Sequence, residues 1–128
     1  MKKLALILLA VMMLTACGQE IENDQGAAYM NITAEEARKI MDTEEGYIIL
    51  DVREQDEYDE GHIPGAILIP YTQIAEKAEE TLTDKDQMIL VYCRSGRRSK
   101  IAAEALVELG YTNIKEFGGI IDWPYEVE

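Results

Sequence analysis

Apolar positions in this chain fall first in one unbroken block and then in short, regularly spaced bursts. Leu4 to Leu14 is a continuous apolar run of eleven residues preceded by Lys2 and Lys3. A helix needs about 20 apolar residues to cross a bilayer, so this run is too short to span one. A basic start, a short apolar stretch and small residues have instead the anatomy of a secretory signal. An N-terminal core helix fits less well, because the run is apolar on every face and the segment after it, Gly18 to Ala28, is polar and acidic.

Beyond that segment the bursts alternate in period. Thr33-Ala34-Glu35-Glu36 fits a capping box opening an amphipathic helix that runs to about Met41. Tyr47 to Val52 is a compact apolar run of the kind expected of a buried parallel strand. Glu54 to Glu60 reads as a short surface helix, Gly61 to Gly65 as punctuation, and Ala66 to Pro70 as a second buried strand. Ile74 to Thr81 reads as a helix, and Met88 to Tyr92 is the cleanest strand signal, stopping at Cys93. From Arg98 to Leu109, residues Ile101, Ala102, Ala105, Leu106 and Leu109 recur at helical spacing, with Lys100, Glu104 and Glu108 opposite. Gly110 stands where a helix C-terminal glycine belongs. Asn113 to Phe117 predicts a last strand, closed by Gly118-Gly119 and a turn over Ile120 to Trp123. Strands alternating with helices predict an α/β fold, a central parallel sheet covered by helices on both faces. No internal repeat or low-complexity tract interrupts it.

Composition narrows the function classes. The chain has 128 residues, room for one domain with one core, and its 48% apolar content excludes wholesale disorder. Twelve basic residues face 25 acidic ones, a net charge of −13. Loss of the leader removes Lys2 and Lys3 and leaves 10 against 25, a net of −15. A surface that negative repels nucleic acid and anionic lipid headgroups, so nucleic acid is not an expected partner.

Leu14-Thr15-Ala16-Cys17 resembles the lipobox of bacterial lipoproteins. That resemblance implies export, removal of residues 1–16, lipid modification of Cys17, a tether over 17–28 and a domain over 29–128 on the extracytoplasmic side. The lipid anchor would be the only membrane contact, and two acyl chains suffice for stable anchoring. The chain has two cysteines. With Cys17 lipidated, Cys93 is the only free thiol and no internal disulfide can form. An unpaired thiol in an exported protein is a flag for reactivity.

Cys93 stands where strand, loop and helix meet, the place where open α/β sheets bind ligands. Of the ten basic residues left after leader removal, Arg94, Arg97, Arg98 and Lys100 crowd within seven positions of one another. A glycine-containing loop entering a helix can aim several backbone N–H groups inward as an anion cradle. The helix dipole and the three guanidinium groups are each worth about a kcal/mol or less, and one pKa unit is about 1.4 kcal/mol. Together they predict a Cys93 thiolate at neutral pH, a nucleophile for an anionic substrate. A small buried cysteine ending a strand is the bland alternative. One Cys and one His supply too few ligands for an ordinary metal site.

Several motifs then occur in order: Asp51-Val52-Arg53-Glu54 with Glu57-Tyr58, Gly61-His62-Ile63-Pro64-Gly65-Ala66, Cys93-Arg94-Ser95-Gly96-Arg97-Arg98-Ser99, and Gly118-Gly119 with Trp123. Over residues 29–128 this pattern resembles the rhodanese family of sulfurtransferases. The resemblance implies sulfane-sulfur transfer through a Cys93 persulfide, with thiosulfate as donor and cyanide or a thiol, including that of a thiol-redox protein, as acceptor. It implies that the loop Arg94, Ser95, Gly96, Arg97 and Arg98 binds the substrate, with Arg94 or Arg97 on the donor's sulfonate. Asp51, Arg53 and His62 read as structural support: an ion pair near the ligand end of the sheet and a hydrogen-bonded turn residue. Trp123 reads as a packed anchor. Gln55 replaces a proline common in the family. No metal and no organic cofactor is required, nor any general base once the thiol is ionised. Two alternatives remain at this level, a phosphatase or arsenate reductase on the same fold and a non-catalytic persulfide carrier. The phosphatase-type loop is one residue longer than the six positions from Cys93 to Arg98.

Overall fold

A computed structural model describes residues 29–128. The expected leader, Cys17 and the tether lie outside the described residues. The alternating pattern becomes β1 (Tyr29–Asn31), α1 (Ala34–Thr43), β2 (Ile48–Asp51), α2 (Gln55–Glu60), β3 (Ile67–Leu68), α3 (Ile74–Thr81), β4 (Ile89–Cys93), α4 (Arg97–Glu108) and β5 (Ile114–Gly119). One-turn 3₁₀ segments lie over Tyr71–Gln73 and Ile120–Asp122. All strand pairs are parallel, in the order β1-β5-β4-β2-β3. The fold is α/β, as the periods predict, and among the described residues no helix is long and apolar enough to cross a membrane.

Strand alternation sends successive side chains to opposite faces of the sheet. On one face Leu50, Val91, Cys93 and Ile114 pack with Ile74 and Ala78 of α3 and Ala102, Ala103 and Leu106 of α4. On the other, Ile49, Leu90, Tyr92 and Phe117 pack with Ala37 of α1 and with Trp123. Every residue of β4 is buried, the signature of a central parallel strand. At the start of α1, Thr33 Oγ1 accepts from Glu36 N at 3.0 Å and Glu36 Oε1 accepts from Thr33 N at 2.9 Å. That capping box is the one its sequence predicts.

Several boundaries differ from the sequence expectation. β1 was not foreseen: three residues, two of them exposed, are too few for a period to show. The predicted strand Ala66–Pro70 shrinks to two residues because Ala66 N closes a turn on Ile63 O and Pro70 has no N–H to donate. α4 begins at Arg97, one residue early, and β5 runs on to Gly119. Cys93 is itself the last residue of β4, so the strand does not stop short of it.

Candidate active site

The chain places β3 on one side of β2 but β4 and β5 on the other. The carboxyl ends of β2 and β4 therefore flank a point where the winding reverses, the usual ligand crevice of an open parallel sheet. Cys93 ends β4 there, with its side chain on the α4 face. The three residues Arg94, Ser95 and Gly96 turn the chain into α4. Gly96 has φ of +108°, a left-handed conformation that a side chain would strain.

That turn folds back over the sulfur. Gly96 N donates to Cys93 Sγ at 3.0 Å, and Ser99 Oγ lies 3.4 Å from it. Cys93 is only 1% exposed. Burial pushes its thiol up, but the Ser99 hydroxyl and the amides of Ser99, Gly96 and Ser95 outweigh it, and the thiol lies below its ordinary value. The direction agrees with the sequence expectation, while the leading causes are a hydroxyl and three amides rather than guanidinium groups.

The cations explain the difference. Arg98 is turned to Glu57 of α2, with Nη1 and Nη2 donating to its two carboxylate oxygens at 2.8 and 2.9 Å. This Arg98 contact holds the Glu57 carboxyl down at about 2, against an ordinary 4.5. Arg97 is exposed, its guanidinium 5.9 Å above the Tyr71 ring. Lys100 Nζ lies 3.5 Å from both Gly96 O and Glu116 Oε1. Arg94 is exposed, and its carbonyl accepts from Ile121 N at 3.2 Å. Three of these four neighbouring cations thus have different side-chain contacts, while the contact given by Arg94 is through its backbone.

The glycine pair that ends β5 lets this loop close. A Cβ on Gly119 would stand 1.9 Å from Arg94 O and 2.5 Å from Ser95 N, both backbone atoms that cannot swing aside. Only glycine admits that approach. Beneath it lies Glu116, 2% exposed, which sequence reasoning treated as an ordinary strand residue. Its Oε2 accepts from Ser99 Oγ and, at 2.9 Å, from Gly118 N. The signal that could have found it is a charged residue two positions from Ile114 on the buried side of a predicted strand.

Asp51, Arg53 and His62 belong to a separate arrangement. Asp51 follows Leu50 and precedes Val52, whose side chains face α3 and α4, so by alternation it points to the other face. Asp51 Oδ2 accepts from Arg53 Nη2 at 2.7 Å and from the Tyr92 hydroxyl at 2.6 Å. Arg53 Nη2 also donates to Gly61 O at 2.7 Å, and Tyr92 accepts from Ile63 N at 3.0 Å. Burial lowers the Arg53 guanidinium, but the Asp51 bonds and charge prevail and hold it above its ordinary value. Burial and the Asp51 carboxylate push the Tyr92 phenol far up. His62 stacks on Tyr58 with ring centres 3.7 Å apart, and its Nδ1 lies 2.9 Å from Tyr58 O. None of these three meets Cys93. Trp123 packs on Phe117, and its Nε1 donates to Glu126 O at 3.1 Å. Among the described residues no group of three or more His, Cys, Asp or Glu side chains is arranged to hold a metal ion.

The rhodanese-like domain model matches residues 33–124. The thiosulfate sulfurtransferase PspE of Escherichia coli is 40% identical over 73 residues, 57% of this chain and 70% of that protein. The thiosulfate sulfurtransferase GlpE of Coxiella burnetii is 38% identical over 77 residues, 59% of this chain and 70% of that protein. A solved structure described as a rhodanese with anions from E. coli superposes with a TM-score of 0.60 at 35% identity, covering 64% of this chain and 96% of that one. The chain spans from 21% to 90% of its curated relatives' own lengths, and less than two thirds of several.

Proposed function

Because the chain belongs to the rhodanese-like family, we propose that it is a sulfurtransferase that carries a sulfane sulfur on Cys93. The observation that carries this reading is the ring around Sγ: a thiol at the end of a buried strand, faced by the loop amides of Ser95 and Gly96 and by the amide and hydroxyl of Ser99 in α4, and lowered in pKa by them. Donors fixed in that arrangement stabilise a sulfur anion without reorganising, as an oxyanion hole stabilises oxygen.

In the proposed reaction the Cys93 thiolate attacks the outer sulfur of thiosulfate. The Sγ–S bond forms as the donor's S–S bond breaks, and the electron pair leaves on sulfite. The resulting Cys93–S–S⁻ is held by the amides of the Arg94 to Arg98 loop. Cyanide, or the thiolate of a small molecule or thiol-redox protein, then attacks the outer sulfur, and Sγ departs as thiolate. Arg94 and Arg97, the exposed cations beside the loop, attract the sulfonate. Arg98 supports the loop through Glu57 instead. The 1% exposure of Cys93 favours a slender donor with a terminal sulfur. No step uses a metal or an organic cofactor.

Incubation of the chain with thiosulfate followed by intact mass measurement tests this reading. The expected result is a gain of one sulfur atom that Cys93→Ser abolishes together with cyanide-dependent turnover. Undiminished turnover in Cys93→Ser would refute it, and turnover of a phosphate ester at a rival rate would favour an oxyanion hydrolase.

The proposal includes the protein's place in the cell: cleavage before Cys17, lipid on that cysteine, and display of the domain beyond the cytoplasmic membrane on the 17–28 tether. Membrane fractionation should recover the chain with the bilayer and release Cys17→Ser into the soluble fraction. Equal partitioning of the two would overturn the anchor.

A further inference from the structure

The sulfur of Cys93 and the carboxylate of Glu116 meet across one hydroxyl. Ser99 Oγ lies 3.4 Å from Cys93 Sγ and is bonded to Glu116 Oε2. The same oxygen lies 3.1 Å from Gly96 O and 3.4 Å from Gly118 O. All three side chains are buried, at 1% exposure for Cys93, 0% for Ser99 and 2% for Glu116. A serine hydroxyl has one proton to donate. If Ser99 gives it to Glu116, the sulfur must keep its own and donate S–H to Oγ. If the sulfur is a thiolate, Ser99 must turn its proton there, and Glu116 Oε2 then faces an oxygen lone pair unless it is itself protonated. The two arrangements hold the same number of protons and the same net charge. Ionising both groups would set two buried anions on either side of one hydroxyl, and like charges sharing a site do not ionise independently.

We propose that Cys93 and Glu116 share a single proton through Ser99. As the thiol ionises, the Sγ–H bond breaks and its electron pair stays on sulfur. The proton passes to Ser99 Oγ while the former Oγ–H proton passes to Glu116 Oε2. A thiolate forms with no proton released to water. Glu116 touches neither the sulfur nor a substrate and acts as a positioning residue.

Other charges bias the balance. Lys100 of α4, half exposed, sits 3.5 Å from Glu116 Oε1 and favours its ionised form. Glu104 of α4 and the Tyr29 phenol of β1 lie in the same neighbourhood, and Tyr29 is pushed up by burial first and then by Glu104 and Glu116. Arg98, paired with Glu57, also feels the charge of Cys93. Glu104 and the Cys93 thiolate favour protonated Glu116.

This inference deepens the reading of Cys93 as sulfur carrier, but alkylation by iodoacetamide needs no sulfur donor and tests it separately. The rate is followed against pH on the Cys93 peptide of the full chain by mass spectrometry. The native chain should show two steps separated by a partial plateau, because a fraction of the one-proton state is already thiolate. Glu116→Gln should show one step, about one pH unit below the native upper step. Lys100→Gln alters only an exposed residue and should move the native lower step upward, which keeps the test decisive if Glu116→Gln fails to fold. A single native step that neither substitution moves would overturn the shared proton. Persulfide formation with a one-step profile would sink this inference alone. A two-step profile without persulfide would sink only the sulfur-transfer reading.

Discussion

Asp51 and Glu116 are two carboxylates buried on opposite faces of one sheet, 0% and 2% exposed, and their surroundings differ in kind. Asp51 is answered by the guanidinium and the backbone N–H of Arg53 and by the Tyr92 phenol. Those partners tie β2 to β4 and to the turn at Gly61 to Ile63. Arg53 is itself only 5% exposed, so neither charge can leave without stranding the other. Glu116 has a hydroxyl, one amide and a half-exposed ammonium at the longer distance of 3.5 Å. Its hydroxyl partner also faces the thiol. A carboxylate pinned by a buried cation is a fixed lock, whereas one held by a hydroxyl can gain or lose a proton without orphaning a buried charge. On the sulfur-transfer reading proposed above, the contrast gives stability to one face of the sheet and reactivity to the other.

Substitutions break this contrast in order of size. Asp51→Asn leaves the Arg53 guanidinium buried without a counter-charge and should cost about 3–5 kcal/mol in urea unfolding. A loss below about 1 kcal/mol would show that the lock is ornamental. Gly119→Ala drives a Cβ into the Arg94 backbone and should cost about 1–3 kcal/mol. It should also displace the amides from Sγ and shift Cys93 alkylation to higher pH, and an unmoved profile would mean the loop tolerates the intrusion.

Glu57→Gln probes the pair between the two faces. The folded value of about 2 lies below the ordinary 4.5, so the stabilisation is complete above about pH 4.5 and fades as pH falls toward 2. The pair is partly exposed, and its removal should cost about 1 kcal/mol at neutral pH. The substitution should also flatten the acid limb of the stability curve within that window. An unchanged acid limb would detach Glu57 from acid stability. Glu116→Gln is the smallest in stability, within about 1 kcal/mol, because Oε1 of glutamine still accepts from Ser99 and Gly118 and Lys100 can turn to water. A loss as large as that of Asp51→Asn would erase the distinction between the two carboxylates.

Much of the fold was legible because its signals are local. The capping box at Thr33, the apolar run ending at Cys93 and the helical spacing after Arg98 each depend on residues within one element. Of the two edge strands, β1 was not legible, since it owes its existence to pairing with β5 rather than to a pattern of its own, whereas β3 was legible as an apolar run longer than the two residues that pair with β2. At the site, the Cys93 loop was visible as a motif, but the work of its cations was misread. Proximity in sequence puts Arg98 beside the thiol, while the fold hands it to Glu57 of α2.

By itself the sequence determined the α/β alternation, the position of the thiol at a strand end before a helix, and the family whose motifs it shares, because each is written in spacing along one strand–loop–helix unit. Only the tertiary structure decided what surrounds the sulfur. Ser99 and Glu116 are separated by seventeen positions, and Asp51 and Tyr92 by forty-one. Such pairs meet only when parallel strands align their carboxyl ends, α4 packs on the sheet and water is removed from between them. There one hydroxyl and three amides lower the thiol against its burial, while the four nearby cations remain paired or exposed to solvent.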